Sequence, residues 1–122
     1  MLLRVGIALA AVAAIVFGVT RLGATHACAD AQAHPLTSVD ELLAKCHGSL
    51  PLATGSVALV KAGRTADAAR LADTAARRQP DDYISWLAVA GVRAARGDQA
   101  GATRARERAR ELNPLAAALQ RR

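Results

Sequence analysis

The sequence predicts an all-α protein, and three observations support that prediction. Hydrophobic residues make up 52% of the 122 residues, but aromatic residues contribute only 2%, and alanine supplies much of the apolar content. Alanine has high helix propensity and little bulk, so this composition favours thin, closely packed helices over strands. Apolar side chains recur at helical spacing, and glycine and proline punctuate the pattern at a regular interval.

An uncharged apolar segment opens the chain. Residues 5–20 read VGIALAAVAAIVFGVT and lie between Arg4 and Arg21. Flanking leucines lengthen this run toward the roughly 20 residues that span a bilayer, and the two arginines can extend their charged ends to the headgroups. Because the run is apolar on all sides, a small soluble core could not bury it. We therefore predict a transmembrane anchor or signal peptide over residues 1–22, with membrane contact through residues 2–22.

A cleaved signal peptide is the competing interpretation of this segment. Residues 1–4 would then be the charged start, and residues 27–29 (ACA) would be the cleavage site, which would release a secreted protein. Arg21 separates the apolar run from that site and favours the uncleaved, single-pass anchor. Both interpretations place the C-terminal domain outside the cytoplasm, at the cell membrane or beyond it. The inverted topology stays open, because positive charge lies on both sides of the run.

Two cysteines and three histidines follow the apolar segment. Two cysteines in an exported chain most often form a disulfide, so we predict a bridge between Cys28 and Cys46. It would close a loop of about 19 residues and stabilise the fold by about 3 kcal/mol. The alternative is a metal-binding or redox module that adds His26, His34 and His47. Their spacing matches no paired zinc pattern, and the prediction is that the chain has no metal and no cofactor.

The remaining chain divides into a linker and a helical domain. Residues 23–36 are small and polar and read as a linker. Ser38 and Glu41 form a capping-box pattern, which predicts a short helix over about residues 39–47. Gly48 and Pro51 then end that helix. The helical domain is predicted to cover residues 37–122.

An internal repeat organises this domain. When the sequence is laid over itself so that Gly63 falls on Gly97, Pro80 falls on Pro114. The other coincident pairs are Ala66 and Ala100, Ala68 and Ala102, Arg70 and Arg104, and Ala75 and Ala109. Each glycine would end a first helix and reverse the chain, and each proline would end a second helix. The predicted helices cover about residues 52–62 and 66–78 in the first unit, and about 83–96 and up to residue 112 in the second.

The distance along the chain from Gly63 to Gly97, which we call the repeat offset, matches the tetratricopeptide period of about 34 residues. The helix–turn–helix unit of this chain resembles that repeat. Residues 97–99 (GDQ), Ala102 and residues 111–114 (ELNP) look very like the family consensus, and Trp86 occupies the family's tryptophan position. The resemblance covers about residues 52–114. The departures are Val89 and Ala90 in place of Leu-Gly, Arg93 and Arg106 in place of large side chains, and Leu52 and Ala72 in place of Trp and Phe.

The resemblance implies a platform for protein contacts on the concave surface that the first helix of each unit lines. Placed on this sequence, the protein-binding positions are Ile84, Leu87, Gly91, Ala94 and Ala95. These residues are apolar and small, which favours a hydrophobic helix or strand as the ligand, and the alternative is that they belong to the core. Two repeats are few for a stable stack, so residues 115–122 are predicted to form a covering helix, with dimerisation as an alternative.

The sequence predicts no enzyme. It contains no phosphate-binding loop, no G-x-S-x-G and no H-E-x-x-H, and Asp81 and Asp82 read as charges at a helix N-terminus. Residues 93–122 are rich in arginine but lack aromatic side chains that could stack on bases, so nucleic acid is not predicted as a partner. The predicted function is a membrane-tethered, extracytoplasmic module for protein–protein interaction or complex assembly. The alternatives are a structural accessory subunit of a membrane complex and the Cys/His module described above.

Overall fold

The computed structural model describes residues 26–34 and 39–115, and the secondary structure of this part is helical, without strands. The predicted anchor, the capping residue Ser38 and residues 116–122 of the tail lie outside the described residues. None of the described helices has both the length and the apolarity that a membrane crossing needs. The predicted all-α class is confirmed for the part of the chain that the structure describes.

The helices follow one another with short connections. They are α1 over residues 26–33, α2 Val39–Lys45, α3 Ser49–Lys61, α4 Thr65–Arg78, α5 Tyr83–Ala95 and α6 Gln99–Leu112. Helix α3 begins before the predicted start at Leu52 and includes Pro51. Proline is tolerated there, because the first four amides of a helix have no partner within the helix.

The stretch predicted to be a linker is helical over residues 26–33. Ala31 is 3% exposed and belongs to the hydrophobic core, and the half-buried Cys28 packs against the core. Cys28 is bonded to Cys46, with the two Cα atoms 4.9 Å apart, as the sequence predicted. The disulfide therefore attaches α1 to the segment that follows α2.

The chain reverses in the same way between α3 and α4 and between α5 and α6. Gly63 and Gly97 have φ values of 76° and 81°, a left-handed conformation that is unfavourable for residues with a Cβ. The amide of Arg64 donates to the carbonyl of Leu59 at 2.8 Å in the first turn. The amide of Asp98 donates to the carbonyl of Arg93 at 2.9 Å in the second. These are Schellman motifs, and the predicted helical reversals at both glycines are confirmed.

The helix boundaries repeat along the chain. Helices α3 and α5 begin and end at positions separated by the repeat offset, and the same offset relates α4 to α6. Helix α3 contacts α4 and α5, and α5 also contacts α4 and α6. The four helices therefore form two successive hairpins of equal length, with the first helices of both hairpins in contact.

Small side chains allow these helices to approach closely. Fully buried leucines at the centre are Leu42, Leu52, Leu59 and Leu71. Buried alanines surround them on the inner sides of α4 and α6, at Ala68, Ala72, Ala75, Ala102, Ala105 and Ala109. A Cβ atom on Gly55 would lie 3.0 Å from Cδ1 of Leu71, so a larger residue at this crossing of α3 and α4 would require the buried leucine to shift. The core is thin because it is built from alanine and leucine with little aromatic bulk.

Charged side chains attach α2 to α4. Nη2 of Arg70 donates to Oδ1 of Asp40 at 2.8 Å, and this hydrogen bond raises the pKa of Arg70 above its ordinary value. Arg78 donates to the carbonyls of Leu43 and Cys46, each at 2.9 Å. These carbonyls lie at the C-terminal end of α2, where backbone acceptors lack helical partners. The end of α4 thus caps the end of α2.

The segment after α4 also organises the starts of α3 and α5. Oε1 of Gln79 accepts the amide of Ser49 at 3.0 Å, which satisfies the first amide of α3. The carboxylate of Asp82 accepts the Ser49 hydroxyl and the amide of Ile84, the latter at 3.1 Å. Asp82 is therefore the N-cap of α5 and joins the two first helices at their N-terminal ends.

Substitution of glycine by alanine should have opposite effects on the free energy of unfolding at Gly63 and at Gly91. Gly63→Ala should lower the free energy of unfolding by about 1–2 kcal/mol, because a Cβ disfavours the left-handed conformation. Gly91→Ala should raise it by about 0.5–1 kcal/mol, because Gly91 is helical and a Cβ there meets no atom within 4 Å. Urea unfolding of the full chain in detergent, followed by circular dichroism, measures both. Equal effects of the two substitutions would contradict the reversal at Gly63.

Candidate protein-binding face

Helices α3 and α5 differ in composition from the helices that cover them. Their sequences, SLPLATGSVALVK and YISWLAVAGVRAA, contain no aspartate or glutamate. Each has one formally charged side chain, Lys61 in α3 and Arg93 in α5, and both lie toward the C-terminal ends. The outer sides of α4 and α6 instead carry arginine, aspartate and glutamate. The side of the domain formed by α3 and α5 is therefore the apolar one.

Large apolar side chains are exposed on this side. Leu50 is 61% exposed and Val57 is 51% exposed on α3, and Leu87 is 42% exposed on α5. Leu50 and Val57 are two helical turns apart, so they lie on one side of α3. Ile84 and Gly91 are their counterparts on α5 at the repeat offset. Helices α3 and α5 contact each other, and we call these five residues together the apolar face.

The predicted binding positions lie along one side of α5. Leu87, Gly91 and Ala95 are exposed, and Ile84 and Ala94 are half-buried. Ile84 also packs against the hydrophobic core, so its side chain contributes both to the core and to the surface. The five positions follow helical spacing and form one stripe. Their role in binding stays a prediction.

Sequence reasoning missed the part of the apolar face that lies on α3. The same shift that aligns the glycines places Leu50 opposite Ile84 and Val57 opposite Gly91, so the signal was present. The predicted helix start at Leu52 leaves Leu50 outside the helix. The counterpart of Leu87 is Ala53, which is only 8% exposed and contributes little to the surface.

Gly91 leaves an opening in the apolar face. A Cβ built at this position would meet no atom within 4 Å, so the surface is open above the backbone of α5. Leu87 lies one turn before Gly91 and Ala94 lies one turn after it. An apolar side chain of a partner could therefore reach the α5 backbone between them.

The two acidic residues before α5 have separate structural contacts. Asp82 caps the helix, as described above, and Oδ1 of Asp81 lies 3.7 Å from Nη2 of Arg108. The interpretation of Asp82 as a charge at the helix N-terminus is confirmed by its hydrogen bond to the amide of Ile84. The two carboxylates thus serve different partners rather than one shared site.

The cysteines and histidines of the described part do not form one shared site. Both thiols are consumed by the disulfide, and His26, His34 and His47 are exposed. Within residues 26–34 and 39–115, no three His, Cys, Asp or Glu side chains converge in a way that could hold a metal ion.

The fold and the apolar face define the class of this protein as an all-α, disulfide-bonded domain of helical hairpins. Comparison of the chain with protein families, with curated proteins and with solved structures finds no match. The resemblance to tetratricopeptide repeats therefore stays a prediction that rests on the residues of this chain.

Neighbouring leucines in α3 offer a direct test that the apolar face is surface and not core. Leu52→Ala should lower the free energy of unfolding by about 2–5 kcal/mol, because Leu52 is fully buried. Leu50→Ala should change it by less than about 0.5 kcal/mol, because Leu50 is exposed. Urea unfolding of the two variants makes the comparison. A loss at Leu50 as large as that at Leu52 would show that Leu50 is buried in the folded protein.

Proposed function

We propose that this chain is a membrane-tethered, extracytoplasmic scaffold whose apolar face binds a hydrophobic helix or strand of a partner protein. The observation that carries the proposal is the exposure of Leu50, Val57 and Leu87 on one side of two adjoining helices. Contiguous exposed apolar patches on soluble domains mark interaction sites, because exposure of such a patch to water is unfavourable unless a partner covers it. The proposed role is binding and assembly, without a catalytic step.

The repeated geometry supports a scaffold of the tetratricopeptide type. The hairpins have equal helix lengths, a constant offset along the chain and the same glycine-based reversal. In such arrays each unit contacts its neighbours along one direction, and the first helices line one continuous surface. The apolar face on α3 and α5 is the surface that such an array would present in this chain. Its small and aliphatic side chains suit an apolar ligand.

The disulfide supports export and an uncleaved anchor. Disulfides persist in oxidising compartments outside the cytoplasm. Cleavage after Ala29 would remove Cys28 and leave Cys46 without its partner. Cys28 follows closely after the apolar run of residues 5–20, so an anchor over residues 1–22 would hold the helical domain close to the membrane.

Charge placed on the apolar face should abolish partner binding. The variant Val57→Glu/Leu87→Glu introduces two carboxylates at exposed positions, so the fold should persist while an apolar ligand is rejected. Full-length tagged chains are crosslinked in native membranes, purified and compared by quantitative mass spectrometry. At least one partner should fall about tenfold or more in recovery, which corresponds to a loss of about 1.4 kcal/mol.

A matched variant controls for added charge. Ala100→Glu/Thr103→Glu places the same two carboxylates at exposed positions of α6, away from the apolar face. Partners recovered by the wild-type chain should remain with this control, and circular dichroism should show all three chains folded. Equal recovery of every partner by both variants would overturn the proposal.

A further inference from the structure

A cleft lies between α4 and α5, on the side of α5 that faces away from the apolar face. Its larger part has a volume of about 380 Å³ and is lined by Ala69, Asp73, Val89, Val92, Arg93, Arg96 and Asp98. An adjoining part of about 240 Å³ shares Asp73, Val89 and Arg93 and adds Ala76, Arg77 and Trp86. With about 100° of rotation per helical residue, Val89 lies about 160° and Arg93 about 120° around α5 from Leu87.

The floor of the cleft is apolar. Val89 and Val92 belong to the hydrophobic core, and the short side chains of Ala69 and Ala76 on α4 leave space above them. Trp86 forms one end, and its Nε1 donates to the carbonyl of Pro80 at 2.7 Å, which fixes the orientation of the indole. The floor can therefore accept an aliphatic side chain from a ligand.

The rim of the cleft carries cationic groups with unused donors. Nη1 of Arg93 lies 3.8 Å from Oδ2 of Asp98, a long and exposed ion pair. Asp98 is also committed to α6, because its Oδ1 accepts the amide of Gly101 at 2.8 Å. The guanidinium of Arg96 makes no hydrogen bond or ion pair within the described part of the chain. Arg93 and Arg96 can thus both donate to an incoming carboxylate.

Asp73 adds a hydrogen-bond acceptor to the cleft. Its carboxylate lines both parts of the cleft and accepts no hydrogen bond from any side chain in residues 26–34 and 39–115. A sulfate ion offers no hydrogen-bond donor to Asp73. A peptide segment instead offers backbone N–H groups to Asp73 while its own acidic side chain meets the arginines.

We propose that this cleft binds an acidic peptide segment of a partner protein, in which an aliphatic residue lies next to a glutamate or aspartate. The aliphatic side chain packs on Val89 and Val92, and the carboxylate binds between Arg93 and Arg96. The inference is independent of the apolar face, because the two surfaces share no residue and lie on opposite sides of α5.

Trp86 provides the probe for the test, because it is the sole tryptophan of the sequence and lines the cleft. The full-length chain in zwitterionic detergent is titrated with a blocked hexapeptide of alternating leucine and glutamate, and tryptophan fluorescence is recorded. A saturable change is expected. Arg96→Gln should weaken the binding about tenfold, the effect of losing one charge-assisted hydrogen bond.

Two controls separate cleft binding from general attraction to a basic protein. Arg104→Gln removes the same charge from an exposed position of α6 outside the cleft and should leave the affinity unchanged. A hexapeptide with glutamine in place of glutamate should produce no saturable change. The proposal is overturned by absence of a response to the acidic peptide, by an equal response to the glutamine peptide, or by equal affinities of the Arg96→Gln and Arg104→Gln chains.

Discussion

The left-handed backbone at Gly63 and Gly97 is the constraint on which the arrangement of α3 to α6 depends. Each glycine ends a first helix and closes the turn with the same pattern of backbone hydrogen bonds. The reversals recur at the same offset as the helix boundaries, and α3 and α5 contact each other. A different turn at Gly63 would redirect α4 and the α5 helix that follows it, and would separate Val57 from its counterpart Gly91. A different turn at Gly97 would displace α6 from α5.

The two helices of each hairpin have different chemistry, and the surfaces of the domain follow from that difference. Helices α4 and α6 bury alanine on the inside and carry charge outside, whereas α3 and α5 contain no carboxylates and expose aliphatic side chains. Helix α5 borders both surfaces, with Leu87 on the apolar face and Arg93 in the cleft. One helix therefore borders two chemically distinct surfaces, one apolar and one lined by charged side chains.

Local signals predicted most of the fold, and contacts between distant segments account for the rest. Gly63, Gly97 and Asp82 define turns and caps by their own chemistry, so the boundaries of the hairpins could be read from the sequence. Helix α1 could not be predicted from the sequence, because its stability depends on burial of Ala31 and on the bond between Cys28 and Cys46. The cleft was also beyond sequence reasoning, since it arises from the space that short side chains on α4 leave beside α5.

The most direct test of the account is a spin-label distance across the apolar face. Both native cysteines are bonded to each other, so nitroxide labels attach selectively to Val57→Cys and Gly91→Cys, and both positions are exposed. Packed helix axes lie about 8–10 Å apart, so the doubly labelled full chain should show strong dipolar broadening in its electron paramagnetic resonance spectrum. A spectrum equal to the sum of the two singly labelled spectra would contradict the account, because the two hairpins would then not present one face.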